Sequence, residues 1–164
     1  MKLVEIDNIP NACEEVPLDD LLKVYAICLE MLSICKESNG VGLSAFQVGI
    51  PWKLFVVNYA GLEGFYIDCE YEALEGEKIS SIEGCLSILD EDGSCKRFKV
   101  ERDRRVKIIG KKLVLSDESV GLAVRNVDMD LDGAISIIFQ HEIDHHHGIL
   151  ISDHGDEYYI HEVS

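Results

Sequence analysis

The chain has no C-x-x-C pair, no apolar run approaching the length of a membrane span, and only 15 Lys and Arg against 31 Asp and Glu. Each shortage excludes something. The opening Met1-Lys2-Leu3-Val4-Glu5 lacks the basic and apolar regions of a signal peptide, so an intracellular, cytoplasmic protein without a membrane partner is expected. Six cysteines without paired spacing or secretory context read as reduced thiols, and Cys28 and Cys35, seven apart in a helical pattern, as small core residues. A formal net charge of −16 argues against a nucleic-acid surface, which needs clustered cations; a solvated acidic surface is the plainer reading. No repeat, low-complexity tract or linker divides the 164 residues, which are enough for one domain, 1–164, with a real core.

What is present is concentrated in Phe139-Gln140-His141-Glu142-Ile143-Asp144-His145-His146-His147-Gly148. His-Glu-x-x-His puts two imidazoles four residues apart, which on a helix stacks them on one face within reach of one metal ion. Glu142 then lies at the edge of that face, where a carboxylate can act as base without ligating the metal. Ala134, Ile138, His141 and His145 share one helical stripe, so the ligands continue into an apolar floor. Asp130 or Asp132 is expected to cap this helix and Gly148 to stop it. A lone H-x-x-x-H is more often coincidence; the glutamate, the apolar run before it and the glycine stop favour a site.

Along the rest of the chain, an irregular arm punctuated by Pro10 and Pro17 precedes a helix over 18–38. There Leu21, Leu22, Tyr25, Cys28, Leu29, Leu32 and Cys35 recur at helical spacing, Asp19 and Asp20 sit in the first turn, and Asn39-Gly40 ends the pattern. Strands are expected at 53–59, at 65–74, in two pieces over 97–116 about a turn at Gly110-Lys111-Lys112, and at Ile149-Leu150-Ile151. An acidic tail closes the chain at Ser164. The expected fold is α+β: mixed, mostly antiparallel strands around the metal helix, with the first helix packed outside. Taken alone, Gly40-Val41-Gly42 is an ordinary turn and Cys85 a buried inert thiol.

Three separated segments together resemble the peptide deformylases, whose signatures are G-φ-G-L-A-A-x-Q (φ apolar), E-G-C-L-S and Q-H-E-x-D-H. Here they read Gly40-Val41-Gly42-Leu43-Ser44-Ala45-Phe46-Gln47, Glu83-Gly84-Cys85-Leu86-Ser87 and Gln140-His141-Glu142-Ile143-Asp144-His145, with Val100-Glu101-Arg102 where the family carries V-x-R. The resemblance spans nearly the whole chain. It implies Cys85, His141 and His145 as metal ligands, Gln47 and the Leu86 N–H as oxyanion donors, and Glu142 as general base and acid. It further implies that Val41 and Gly42 pair with the substrate backbone, that Arg102 lies along the substrate path, and that Ala134 and Ile138 floor a methionine pocket. The implied reaction removes formate from N-formyl-methionine of nascent chains, with a metal-activated water as nucleophile. One divalent ion per chain is implied, ferrous iron by family habit, with nickel, cobalt or zinc able to substitute; a His₂Cys set leaves a fourth position open and does not choose among them.

The chain departs from the family at several places. Ser44 and Phe46 stand where alanine and proline are usual, and Asp68-Cys69 where Asn-Pro is common. His146 replaces a usual leucine and is expected as a hydrogen-bonded core histidine, with His147 exposed. The end of the chain soon after the metal helix suggests at most transient ribosome association. Two other readings compete. A zinc endopeptidase or amidase would draw a third ligand from His154 or His161, and a binding protein with a structural metal would have no use for Glu142 and Gln47.

Overall fold

Leu54, Phe55, Val56 and Val57 are all buried, four in a row on one strand. In a pleated strand, consecutive side chains face opposite ways, so such a run needs cover on both faces. The computed structural model, which describes residues 1–10, 12–116 and 121–158, supplies that cover with two helices. Leu54 and Val56 join Val24, Cys28, Met31 and Cys35 of α1 (Leu21–Glu37), while Phe55 and Val57 join Ile138, Phe139 and Ile143 of α2 (Ala134–His146). The helices therefore pack on opposite faces of one sheet.

That sheet has five strands in the order β1-β2-β3-β6-β7: Gly42–Ser44, Leu54–Tyr59, Leu62–Ala73, Arg105–Ser116 and Gly121–Asp132. A second sheet of three, β4-β5-β8 (Lys78–Leu89, Cys95–Asp103, Asp156–Glu157), packs with the short helix α3 (Ile151–His154) around Cys85, Phe98, Val100 and Ile151. Every pairing within both sheets is antiparallel. The expected α+β class, with mostly antiparallel strands, is the class found.

Several local expectations are corrected. The first helix begins at Leu21, not 18: Asp20 is its N-cap, accepting the Lys23 N–H at 3.0 Å, so the acidic pair precedes the first turn. Leu22 is 76% exposed, because the buried stripe runs through Val24 and Met31 instead. Gly110 is no turn but mid-strand in β6. β3 bulges beside it, slipping register between Ile67 and Glu70 with Asp68 at φ 49°, and a β-carbon on Gly110 would lie 2.4 Å from Cys69 Sγ. The glycine lets the two backbones close up.

Asp130 and Asp132 cap nothing. Both lie in β7, and the N-cap position of α2 is Gly133, whose φ 70° and ψ −138° turn strand directly into helix without a side-chain cap. Ile149-Leu150-Ile151 is not a strand; Ile151 opens α3 and buries its side chain. Gly148, at φ 70°, does supply the left-handed stop after α2. The acidic tail beyond Tyr158, and His161 within it, lie outside the described residues.

Candidate metal centre and cleft

Three elements converge where the two sheets meet α2. Cys85 comes from β4, at a point where pairing with β5 breaks between Gly84 and Leu89. That break takes Cys85, Leu86 and Ser87 out of the ladder register and leaves the Leu86 backbone clear of it. His141 and His145 come one turn apart from α2, which Gln140 ties to the end of β5: its amide donates to Asp103 O at 2.8 Å and accepts from Asp103 N at 3.1 Å. The ligand-capable atoms of Cys85, His141 and His145 lie within 4.8 Å of one another, and all three side chains are buried. They are the trio expected from the sequence.

The donor set suits a divalent ion of borderline softness: one thiol and two imidazoles. Its support does too. His141 Nδ1 lies 2.9 Å from Glu83 Oε2, which leaves Nε2 free for a metal, the usual carboxylate–histidine arrangement. Burial opposes the charge on Glu83, but Arg102 at 2.8 and 2.9 Å, with His141, outweighs it and holds the carboxyl at about 2. Burial likewise opposes protonation of His141, yet Cys85 and Glu83 lift it well above its ordinary value, whereas burial and the His141 charge push His145 well below. Phe46 lies nearly parallel to the His145 ring.

Gln47 is buried and fixed at both ends. Its Oε1 accepts from Ser44 N at 2.9 Å, and its Nε2 donates to Cys85 Sγ and Ser87 Oγ, each at 3.3 Å. The amide donor is thereby aimed at the metal cluster. Glu142 packs so closely on Gly42 that a β-carbon there would sit 2.5 Å from Oε1. Glu142 Oε2 is buried with no hydrogen-bond partner among the described residues. Burial is the main force pushing its carboxyl up to about 7; His141 and Arg102 pull it down and Glu83 adds to the rise.

A cleft of about 440 Å³ opens beside these groups. Val41 and Gly42 form one lip, Gly84, Cys85 and Leu86 the other, and Ala134, Ile137 and Ile138 the apolar floor. The lips belong to β1 and β4 and the loops next to them, and each of those strands is the outermost of its sheet. An edge strand presents backbone donors and acceptors on its open side.

Arg102 is where the sequence reading fails. Expected along the substrate path, it is 2% exposed and grips Glu83 on one side and Asp144 on the other. Tyr71 donates to the same Asp144 at 2.9 Å. These partners come from β4, β3 and α2, so only the folded chain brings them together. His146 also departs from expectation. It is buried beside Phe55, but neither ring nitrogen meets hydrogen-bond geometry with a described partner, although the Leu54 backbone slightly favours its charged form. A position that leucine usually fills offers no polar partner. His147 is exposed, as expected, against Glu70 at 2.6 Å. His154 sits 3.7 Å from Asp144 and outside the ligand trio. The sequence reading missed Arg97, which also lines the cleft; its opposition to Gly84 follows only from the β4–β5 register.

The family profile described as Polypeptide deformylase matches residues 4–159. A peptide deformylase of Rhodopirellula baltica is 33% identical over 141 residues, 82% of this chain and 63% of that protein. One from Dictyoglomus turgidum is 33% identical over 135 residues, 82% of this chain and 78% of the relative. Among solved structures, the peptide deformylase from Thermotoga maritima superposes with a TM-score of 0.73 at 26% identity, covering 93% of this chain and 95% of that one.

Proposed function

This chain belongs to the polypeptide deformylase family, whose reaction removes the N-formyl group from nascent polypeptides, and we propose that it performs that reaction at the cleft beside Cys85, His141 and His145. The observation that carries the reading is Glu142. A carboxylate with one buried oxygen unpaired among the described residues stands on the same helix as two of three clustered candidate ligands, in the lining of a partly apolar cleft.

Cys85, His141 and His145 would hold one divalent ion, and family habit makes ferrous iron the expected species. When bound, the ion supplies Lewis acidity, polarising the formyl carbonyl and acidifying a water. The residues do the rest. The substrate lies extended between the open edges of β1 and β4, adding a strand to both sheets through Val41, Gly42 and the β4 backbone. Its methionine side chain fills the floor at Ala134 and Ile138. Glu142 accepts the proton of the attacking water and returns it to the amine nitrogen as the C–N bond breaks, leaving formate and a free N-terminus. Burial raises the Glu142 carboxyl, which favours its taking up that proton. Gln47 Nε2 and the Leu86 N–H meet the oxyanion, and the Ser44 contact holds the Gln47 amide ready before substrate arrives. Arg102 holds Glu83, and Glu83 holds His141.

This reading puts the enzyme in the compartment of translation, with emerging formyl-methionyl chains as substrate and at most brief contact with the ribosome. The test is formate release from a formyl-Met tripeptide by anaerobically purified, iron- or nickel-loaded protein. Cys85→Ala protein that loses its metal and its turnover together supports the assignment. Metal retained in that variant favours a peptidase-like ligand set instead.

A further inference from the structure

Arg97 lies directly opposite Gly84 in the β4–β5 register, one residue from the ligand Cys85. Gly84 has no side chain, and the guanidinium occupies that space: a β-carbon there would stand 2.9 Å from Arg97 Nη1 and 3.3 Å from Cζ. The cation is thus laid against the wall of the cleft that it lines. Its backbone is tied down, because Arg97 O accepts from Tyr158 N at 2.8 Å. Neighbouring Lys96 is occupied, 3.9 Å from Asp90 and 3.8 Å from Glu157. Among the described residues, the Arg97 side chain has no carboxylate partner. Glu83, the acid beside it in the cleft, has already given both oxygens to Arg102 and His141. In a chain of formal net charge −16, an exposed arginine at the cleft that meets no carboxylate among the described residues is in place for one from a substrate.

Strand alternation says where that carboxylate sits. Glu83 and Cys85 point inward from β4 and are buried; Ile82 and Gly84 face the other way, Ile82 51% exposed. A peptide pairing with the β4 edge alternates likewise. With its methionine turned in over Ile138, the following side chain turns out, beside Ile82 and Arg97. We infer that Arg97 is a specificity-determining residue for the second position of the substrate, favouring formyl-Met-Glu and formyl-Met-Asp chains, with Ile82 packing on the aliphatic part of that side chain.

This inference rests on the deformylase reading, and the experiment separates the two. Formyl-Met-Glu-Ser and formyl-Met-Lys-Ser amides are compared by kcat/KM on metal-loaded protein at low and high salt. An exposed charge contact gives a preference for Glu of about fivefold at low salt, shrinking as salt is raised. Arg97→Ala should level the ratio and Arg97→Glu reverse it. A ratio that stays the same in all three proteins overturns the inference while leaving the reaction intact. If no formylated peptide is turned over, the functional reading fails. Equilibrium binding of the same two peptides to Glu142→Ala protein then still decides the role of Arg97 by the same ratio.

Discussion

The Phe46 ring stacks on the His145 imidazole with 14° between their planes and 5.7 Å between centroids. The other candidate ligand, His141, is oriented by the Glu83 carboxylate, but His145 Nδ1 meets hydrogen-bond geometry with no described partner, and only a weak influence of the Ile149 backbone reaches it. Phe46 thus holds by packing what a hydrogen bond holds in the first ligand. We expect Phe46→Ala to weaken metal binding about tenfold, the lower end of what loss of a ligand's outer support costs. Chelator competition with zinc or cobalt measures it. Unchanged affinity in a folded Phe46→Ala protein would remove Phe46 from the site.

Glu83 links the site to acid stability. Its folded value of about 2 lies below its ordinary 4.5, so between those values the unfolded chain binds more protons and stability drops as the pH is lowered. The contribution is on the order of 3 kcal/mol, present in full above about pH 4.5 and lost toward pH 2. Urea unfolding across pH 2–6 should show this slope in wild type and a much shallower one in Glu83→Gln. Glu83→Gln should also lose metal more readily, because His141 is no longer held by a carboxylate.

The His-Glu-x-x-His helix was legible because its information is local: two histidines four apart, the glutamate after the first, and a glycine stop are all within reach of one another on one helix. Arg102 was not, since its partners lie 19 and 42 residues away; nothing near it in the sequence tells a buried clamp from a substrate contact. β7 shows the same limit in another way. Val127, Met129 and Leu131 alternate as a strand should, but Asp130 among them and Asp132 after them look like caps for a helix that follows so closely. Gly110 resembled a turn because the bulge at Asp68 that requires a bare backbone lies on the neighbouring strand.

Gly42 sets where Glu142 stands. A methyl group at Gly42 would overlap Glu142 Oε1 at 2.5 Å, so Gly42→Ala must displace the carboxylate. We expect kcat to fall about 100-fold, as for a catalytic group moved by about 1 Å, while metal content stays full. Steady-state kinetics beside metal analysis tests it, and a rise in KM with kcat unchanged would argue that Gly42 serves substrate binding alone.

His146 is kept neutral by its surroundings. Burial pushes its pKa down from 6.5 to about 4. The unfolded chain therefore takes a proton that the folded chain refuses, and this group costs stability as pH falls from 6.5 toward 4. His146→Leu should remove that loss, making the protein more stable at pH 5 than wild type by about 1–2 kcal/mol with little change at pH 8. Thermal unfolding at both pH values reads the difference. Equal gains at the two would assign the effect to packing instead of charge.

The most direct measurement is formate release from a formyl-Met tripeptide by Glu142→Ala protein whose metal content matches wild type. If Glu142 moves the proton between water and departing amine, wild type turns over and the variant falls by about 1,000-fold with its metal in place. A fully metal-loaded Glu142→Ala enzyme that releases formate at the wild-type rate would contradict that assignment.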